Sequence, residues 1–381
     1  MGAIQETPKR KLGPVLLVVL IAAVGGGIYW SNRAQVQQAI TTTVQQKALV
    51  RGVVGSEKSA FFADPRVIAA LDKNGFGVQV DKAGSREIAN LPGLKDYDFA
   101  FPAGEPAAVK IQATLGKSKS VTPFYTVMTV ASFKPIAKIL EANGLVKQEQ
   151  GFFYILDMRA LLQLSVDGKR WKDLKDSGAY PISRSVLVSS TDVRKSNSAA
   201  MYLAIASYAF NGESVVENEQ QVQAVLPKVA PLFLKQGFQD ASSAGPFEDY
   251  KLIGMGKTPL VMIYEAQFFE ELIKNEALAN KDQMVLLYPR PTVFAKQVFI
   301  PISADGERLG SLLETDPELQ KLAAEYGWRT RQPAAQAEVW KARGVTAPQD
   351  LVDIINPPRY EMVEALIQGI EQQSSSTGNT P

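Results

Sequence analysis

The sequence predicts a mixed α/β fold. Short runs rich in β-branched and aromatic residues alternate with segments whose apolar residues recur at helical spacing, which is typical of a sheet with helical connections. Apolar residues make up 46% of the 381 residues and charged residues 21%, the balance of a globular protein with a substantial core. This length allows two ordinary domains or one large one.

The predicted elements follow a regular order in the first third of the chain. The strand ALVRGVVG precedes a helix in DPRVIAALDKNG, where Pro65 suits the first helical turn and Gly75 ends the helix. The strand FGVQVDKAG leads into a helix predicted to open at Ser85 in SREIANL. Two more strand and helix pairs follow, YDFAFPAG with EPAAVKIQATLG and PFYTVMTVASF with KPIAKILEANG.

The alternation continues to the C-terminus. GFFYILDMRALLQL leads into the polar stretch SVDGKRWKDLKDSGAYP. SRSVLVSSTD is a predicted strand before a helix over residues 196–210, and TPLVMIYEAQFFEELIKN joins a strand to a helix. NEQQVQAVLPKVAPLFLKQG predicts a helix with a break near Pro227. QMVLLYPRPTVFAKQVFIPIS predicts two strands joined by a proline-rich turn, and DPELQKLAAEYGW and PRYEMVEALIQGIEQQ predict the closing helices.

The N-terminal region has the pattern of a membrane anchor. Residues 12–30 are uncharged and follow a basic run that begins at Lys9. A helix of that length, at about 1.5 Å per residue, nearly spans a hydrocarbon core of about 30 Å. The positive-inside rule then places residues 1–11 in the cytoplasm and the main domain in the periplasm or outside the cell. The alternative is a cleaved signal peptide, with a small-residue site at 23–25.

The flanks of the main domain differ from it in composition. Residues 31–47 are polar, glutamine-rich and free of proline and glycine, which predicts a stalk between the membrane and the folded domain. Residues 373–381 are of low complexity and predict a disordered tail.

Charge and residue usage exclude several function classes. The formal net charge of +2 gives no basic field for nucleic acid. With no cysteine there is no disulfide, thiol nucleophile, cysteine-ligated metal or lipoprotein anchor. With no histidine there is no Ser-His-Asp triad and no HExxH zinc site. We therefore expect a protein that is not an enzyme and that uses no cofactor or metal, although carboxylates, lysines and tyrosines remain.

Several phrases in a fixed order resemble the type II periplasmic solute-binding proteins. They resemble most the membrane-attached branch that is related to proteins joined to von Willebrand A domains. The phrases are VRGVVGSEKSAFFADPRV, AGSREIA, STDVRKSNSAAMYLA, MVLLYPRPTVFAKQVFIPIS and LLETDPELQKLAAEYGWR. Together they span most of residues 48–345.

The resemblance implies a two-lobed clamp with an N-terminal transmembrane helix. The first lobe would comprise residues 48–127 plus 266–372, and the second lobe residues 128–265. The two crossings between lobes would lie near residues 126–132 and 261–267. Ligands of open α/β sheets bind beyond the carboxyl ends of the strands, which in a clamp is the cleft between the lobes.

The resemblance also places ligand contacts in the loops after the first two strands. Ser56, Glu57 and Lys58 follow the first strand, with two phenylalanines nearby that could wall a pocket; the alternative is a solvated turn. Gly84, Ser85 and Arg86 follow the second strand, where a helix N-terminus would suit an oxyanion or carboxylate. The alternative is that Ser85 only caps that helix.

A surplus of short polar side chains precedes the predicted helix over residues 196–210. One N-cap residue suffices for a helix, yet the segment also offers hydroxyl, amide and carboxylate groups at the end of the preceding strand. This surplus favours a ligand over a bare cap. The candidate residues are Thr191, Asp192, Ser196, Asn197 and Ser198.

Two tyrosines complete the candidate site. Tyr264 would lie at the return crossing and Tyr288 after a later strand, although either could be a core residue with a satisfied hydroxyl.

Three functions follow from these patterns. The first is a membrane-anchored receptor that closes two lobes on a small polar or anionic solute, for a transporter or a sensor. The second is a binding-protein fold kept as an interaction module in an envelope-associated complex. The third is an exported enzyme using carboxylates or a Ser-Lys pair, for which the sequence offers no spaced motif.

Overall fold

Strands of the computed structural model form one mixed sheet. The structure describes residues 47–150, 153–237, 240–274, 283–345, 347–348 and 353–377. The strands are β1 (Ala48–Gly55), β2 (Phe76–Ala83), β3 (Phe99–Phe101), β4 (Val121–Phe133), β5 (Val146–Gln150), β6 (Phe153–Asp157), β7 (Val261–Tyr264), β8 (Met284–Arg290), β9 (Thr292–Pro301), β10 (Arg329–Thr330) and β11 (Ile354–Ile355). The sheet order is β2-β1-β3-β9-β4-β8-β6-β5, with β7 and β10 also paired to β4 and β11 to β9.

Helices connect most of these strands. They are α1 (Ser59–Ala63), α2 (Pro65–Lys73), α3 (Glu105–Leu115), α4 (Lys134–Ala142), α5 (Met158–Val166), α6 (Asn197–Phe210), α7 (Glu219–Leu234), α8 (Ala244–Leu252), α9 (Glu265–Lys274), α10 (Ala304–Thr315), α11 (Pro317–Glu325), α12 (Pro333–Ala342) and α13 (Tyr360–Thr377). The sequence prediction of a mixed α/β fold is confirmed. Of the helices, α1, α5, α8, α10 and α12 were not predicted.

Strand β4 joins the two halves of the sheet. Its first part pairs with β9 as far as Val127, and its second part, from Met128, pairs with β7 and β8. The return of the chain lies alongside, because Tyr264 pairs with Met128 and the amide of Ala266 donates to the Thr126 hydroxyl at 3.1 Å. Both predicted crossings therefore fall where β4 changes partners, while the lobe boundaries themselves stay a prediction.

The core divides between these two halves. A small cluster that includes Val53, Ile111 and Ile300 lies beside β1, β3 and β9. A much larger cluster surrounds the second part of β4 and helix α6, which packs against α5, α7, β7 and β9. Because α6 runs through the middle of this cluster, nearly all of its side chains are buried. The N-terminus of α6 lies at the edge of this cluster that faces the loops after β1 and β2.

The prediction that a helix opens at Ser85 was wrong. After β2 the chain makes a turn, in which the amides of Glu87 and Ile88 donate to the carbonyl of Gly84, and then a single 3₁₀ turn, Ile88–Asn90. Pro92 explains the difference, because a residue before proline is disfavoured in the helical conformation and a helix from Ser85 would end within two turns.

The prediction of a strand in SRSVLVSSTD was also wrong. This segment makes single bridges, from Ser185 to Arg170 and from Ser189 to Val261, and no continuous ladder. Its alternating Val186 and Val188 are fully buried, so the apolar pattern reports burial against the core rather than sheet pairing.

The predicted break near Pro227 is absent. Helix α7 runs unbroken through Pro227 and Pro231. The missing backbone hydrogen bonds are offset by packing, because Val225, Leu226 and Val229 are buried and α7 lies along α13 and α6.

The predicted membrane helix over residues 12–30 and all but the last residue of the stalk lie outside the described residues. Within the ranges that are described, no helix is long and apolar enough to cross a bilayer. Helix α13 extends to Thr377, into the predicted tail.

Candidate functional site

A small cavity brings many of the predicted site residues together. Its volume is about 10 Å³, roughly the space that one water molecule requires. It lies beyond the carboxyl ends of β1 and β2, where ligands of α/β sheets bind. Its lining residues are Ser56, Glu57, Ala83, Gly84, Ser85, Ser196, Asn197, Ala241, Ser242, Ser243 and Tyr264.

One wall of the cavity is the N-terminus of helix α6. Ser196 is the N-cap residue by backbone position, but its side chain makes no capping hydrogen bond. The side-chain amide of Asn197 donates to the Tyr264 hydroxyl at 3.1 Å, and both residues are buried. A helix N-terminus carries a partial positive charge and unpaired N–H groups. This wall can therefore stabilise an anion.

A second helix begins at the same cavity. Ser243 precedes α8 and likewise makes no side-chain capping hydrogen bond. The hydroxyls of Ser242 and Ser56 lie 2.7 Å apart, which links this wall to the loop after β1. The amide of Ala244 donates to the Ser242 hydroxyl at 3.2 Å. Two helix N-termini thus face one small polar space.

The residues of this second wall were not predicted from the sequence. The segment DASSAGPF has no strand before it, so the rule that ligand contacts follow strands does not select it. Its pair of serines before Gly245 and Pro246 is a signal for a turn that leads into a helix. That signal could have identified α8 and its N-terminus.

Glu57, which lines the cavity, forms a buried ion pair with Lys58, which does not. The Lys58 ammonium contacts the Glu57 carboxylate and donates to the Gln297 side-chain oxygen at 2.6 Å. The lysine side chain is 0% exposed and the glutamate side chain 7% exposed. Burial lowers the pKa of Lys58, and Glu57 offsets that effect only in part.

The loop after β2 supplies the opposite wall. Ser85 is buried, and its hydroxyl accepts a hydrogen bond from the Ala103 amide at 2.9 Å. Arg86 lies at the rim, where it pairs with Glu364 of α13 and donates to the Arg194 carbonyl at 3.2 Å. Arg86 therefore links this loop to α13 and to the segment before α6 rather than lining the cavity.

Three predicted residues lie behind the cavity wall. The Ser198 hydroxyl lies 3.0 Å from that of Thr191 and 2.9 Å from that of Ser196, so the three form a buried chain of hydroxyls. Asp192 is held by Arg194, at 2.6 Å between Oδ2 and a guanidinium nitrogen. Burial opposes ionisation of Asp192, but the hydrogen bonds from Arg194 outweigh it and lower its pKa. These side chains position the start of α6.

The two predicted tyrosines lie in different parts of the structure. Tyr264 lines the cavity, and burial raises its pKa, with a further contribution from Glu57. Tyr288 lies elsewhere, where its hydroxyl donates to Glu265 at 2.6 Å. Arg329 completes that buried group with hydrogen bonds of 2.7 and 2.8 Å to the same carboxylate. Tyr288 is thus part of a structural ion-pair cluster.

Larger cavities lie in other parts of the described structure. One of about 630 Å³ is lined by Tyr125, Arg329 and Trp340, among others, and one of about 540 Å³ by charged residues that include Arg159 and Arg290. None of the predicted site residues lines either cavity. We therefore place the candidate site in the small cavity, where loops from separate elements converge. In the part of the chain that the structure describes, no group of acidic residues could hold a metal ion.

The fold is that of the two-lobed periplasmic binding proteins. The structure aligns with the sulfate-binding protein SubI from Mycobacterium tuberculosis H37Rv at a TM-score of 0.53 and 14% identity, covering 86% of this chain and 99% of that one. It aligns with the periplasmic binding protein AfuA from Actinobacillus pleuropneumoniae, bound to fructose-6-phosphate, at a TM-score of 0.52 and 9% identity, covering 87% and 99%. It aligns with the apo ferric ion-binding protein A of Pasteurella haemolytica at a TM-score of 0.52 and 12% identity, covering 87% and 96%.

These similarities are of fold alone, because the identities are low. No model of a known protein family matches the sequence, and no curated protein matches it. The relation to the branch linked to von Willebrand A domains stays a prediction, because a shared fold does not distinguish one branch of these proteins from another.

Proposed function

We propose that this protein is a non-enzymatic receptor that closes on a small polar solute at the cavity between β1, β2, α6 and α8. The observation that carries the proposal is the convergence of Ser56, Glu57, Gly84, Ser85, Ser196, Asn197 and Tyr264 on one space. These residues come from four separate parts of the sequence. Hydroxyl, amide and backbone N–H groups of this kind can replace the hydration shell of a solute.

An anionic group on the solute fits the site best. Two helix N-termini face the cavity, and each favours negative charge. Their N-cap residues, Ser196 and Ser243, make no side-chain capping hydrogen bond. Lys58 adds a buried ammonium in contact with the cavity-lining Glu57. Proteins of the same fold include a sulfate-binding protein and one bound to fructose-6-phosphate, and both of these ligands carry oxyanions.

Solute entry requires the site to open. A volume of about 10 Å³ holds about one water and no larger molecule. Opening at the two crossings, by a hinge motion, would separate the loops after β1 and β2 from the starts of α6 and α8. The lobes predicted at 48–127 plus 266–372 and at 128–265 would move as the two parts of the clamp.

Residues 12–30 would anchor this receptor in the membrane, with the clamp in the periplasm or outside the cell. The run of uncharged residues behind a basic cluster supports that placement. A transporter or a membrane sensor would then be the downstream partner. The branch related to proteins joined to von Willebrand A domains is the relation we propose for it, from the sequence phrases.

A thermal-shift panel on the full chain in detergent tests the receptor function. The panel contains sulfate, phosphate, carboxylates, amino acids, sugars, nucleosides and polyamines. A ligand at 100 times its Kd should stabilise the folded state by about 2.7 kcal/mol. Ser196→Ala with Ser242→Ala should weaken binding by about tenfold or more, since a hydrogen bond to a charged group contributes about 1.5–3 kcal/mol.

Ser118→Ala is the matched control, because Ser118 is exposed and far in sequence from the cavity lining. It should leave the ligand-induced shift unchanged. A shift that survives the double substitution would place binding at another site.

The second candidate is an interaction module that binds no solute. Two observations favour it: the site is closed to about 10 Å³, and its charges are neutralised internally by the pair of Glu57 and Lys58. If no class of compound shifts the melting temperature, this candidate replaces the receptor.

A further inference from the structure

Lys58 occupies a position that an unpaired ammonium could not tolerate. Its side chain is 0% exposed, and the ammonium lies 4.9 Å from the centre of the Phe101 ring. Its hydrogen-bonding partners are the carboxylate of Glu57 and the amide oxygen of Gln297. A buried charge requires a counter-charge or is lost by deprotonation. Some anion must therefore accompany Lys58 whenever it stays charged.

Glu57 supplies that anion from within the cavity. It belongs to the 3₁₀ turn Ser56–Lys58, which joins β1 to α1, and it lines the cavity directly. Its carboxylate folds back over the backbone of Gly55, where even a Cβ atom would come within 2.5 Å of it. The carboxylate thus contacts the ammonium and borders the cavity that both helix N-termini line.

We propose that Glu57 is an internal substitute for the anionic group of the solute. On opening, its side chain turns away from Lys58, and a carboxylate, sulfate or phosphate group of the solute takes its place. This inference rests on the proposed receptor function and names the solute class, a small acid. Exchange of one anion for another keeps Lys58 paired in both states, so neither state contains a lone buried charge.

The geometry favours replacement of the Glu57 carboxylate by the anionic group of the solute over binding of that group beside it. The space beside Glu57 is about 10 Å³, so no oxyanion fits while the carboxylate stays in place. Glu57 is also the charged residue among those that line the cavity, the others being serines, glycine, alanines, an asparagine and a tyrosine. Its displacement both frees volume and removes the negative charge that would repel an anion.

Glu57→Gln tests this exchange with little change in size. The full-length protein is titrated with sodium sulfate and with sodium phosphate by calorimetry, and with a neutral hexose as the uncharged probe. We expect Glu57→Gln to bind at least one of the anions about tenfold or more tightly than wild type, a difference of about 1.4 kcal/mol. Binding of the hexose should not improve.

Lys58→Met is the opposing variant, since it keeps an unbranched side chain and removes the charge. It should lose anion binding in both the wild-type and the Glu57→Gln background. Urea unfolding without anions checks that each variant folds. Sulfate should then stabilise Glu57→Gln more than wild type, a readout that does not depend on calorimetry.

The outcomes separate this inference from the receptor function. If wild type binds a solute but Glu57→Gln binds anions no more tightly, the internal substitute is wrong and the receptor stands. If Lys58→Met binds anions as wild type does, the inference is wrong as well. If neither wild type nor Glu57→Gln binds any compound of the full panel, the receptor function fails and this inference fails with it.

Discussion

At the scale of single residues, polar groups in this protein are matched to partners that the sequence alone does not reveal. Asp64 is the N-cap residue of α2, and its carboxylate accepts hydrogen bonds from the Arg66 amide at 2.8 Å and from the Tyr326 hydroxyl at 3.0 Å. The cap could be predicted from the motif DPR, because aspartate before proline begins many helices. The tyrosine, which lies far along the chain, could not.

Asp64 should contribute to the acid sensitivity of the fold. Hydrogen bonds from Arg66 lower the pKa of Asp64 to about 2, below its usual 3.8, although burial works against them. A depressed folded-state pKa stabilises the protein above the unfolded value, and this contribution disappears as the pH falls through the folded value. The free energy of unfolding of wild type should therefore fall between about pH 4 and pH 2 by more than that of Asp64→Asn. Urea unfolding at each pH measures the difference, and parallel profiles would contradict it.

The residues of the candidate site show which part of such a site can be predicted from the sequence. Ser196 and Asn197 could be predicted from the excess of polar groups before a helix. Ser56 and Glu57 could be predicted from their position after a strand. Ser242 was missed because no strand precedes it. Thr191 and Ser198 were predicted as site residues but lie behind the cavity wall. Hydroxyls that bind a solute and hydroxyls that support a neighbouring residue have the same sequence pattern, so the sequence does not separate them. Contact across the cavity is a tertiary property, which spacing along the chain cannot encode.

At the scale of elements, helix α13 joins parts of the molecule that are distant in sequence. It packs along α7, and it also contacts α3 and α6. Val363, Leu366 and Ile370 are buried in the larger core cluster. Its existence could be predicted from periodicity, but its position depends on a groove formed by three other helices. The prediction of a strand in SRSVLVSSTD was wrong for a related reason. Alternation of apolar and polar residues indicates burial of one face without indicating which strand would pair with it.

Leu366→Ala should measure how much α13 contributes to the fold. Leu366 is 0% exposed, so its truncation should lower the free energy of unfolding by about 2–5 kcal/mol. Gln368→Ala, on the exposed face of the same helix, should change it by no more than about 0.5 kcal/mol. Urea unfolding followed by circular dichroism gives both values. Equal effects of the two substitutions would show that α13 is not held by its buried face.

At the scale of the whole molecule, polar contacts at the rim hold the two sides of the cavity together. Arg86, after β2, donates to the Arg194 carbonyl before α6 at 3.2 Å, and Lys195, in the same segment, lies 3.9 Å from Glu87. The side chain of Arg86 is 8% exposed. Its hydrogen bond to the Arg194 carbonyl is therefore less weakened by solvent than a contact at the open surface.

Arg86→Met should shift the molecule toward an open form. Small-angle X-ray scattering of the protein without solute should give a larger radius of gyration than for wild type, and a bound solute should reduce it again. Lys119→Met is the control, because Lys119 is 72% exposed and pairs with Glu307 at the surface. An unchanged radius for Arg86→Met would mean that the rim contacts do not keep the cavity closed.

The pairing of strand β4 restricts how the two lobes can move in the proposed opening. Phe124 and Tyr125 pair with β9 on one edge and β10 on the other, and Val130 and Ala131 pair with both β7 and β8. Backbone amides bonded on both edges of a buried strand are among the last in a protein to exchange with solvent. Between these two stretches, Val127 pairs with β9 alone, and Met128 and Thr129 pair with β7 alone. The proposed opening would therefore twist this short segment of β4 and leave the hydrogen-bonded stretches on both sides of it intact.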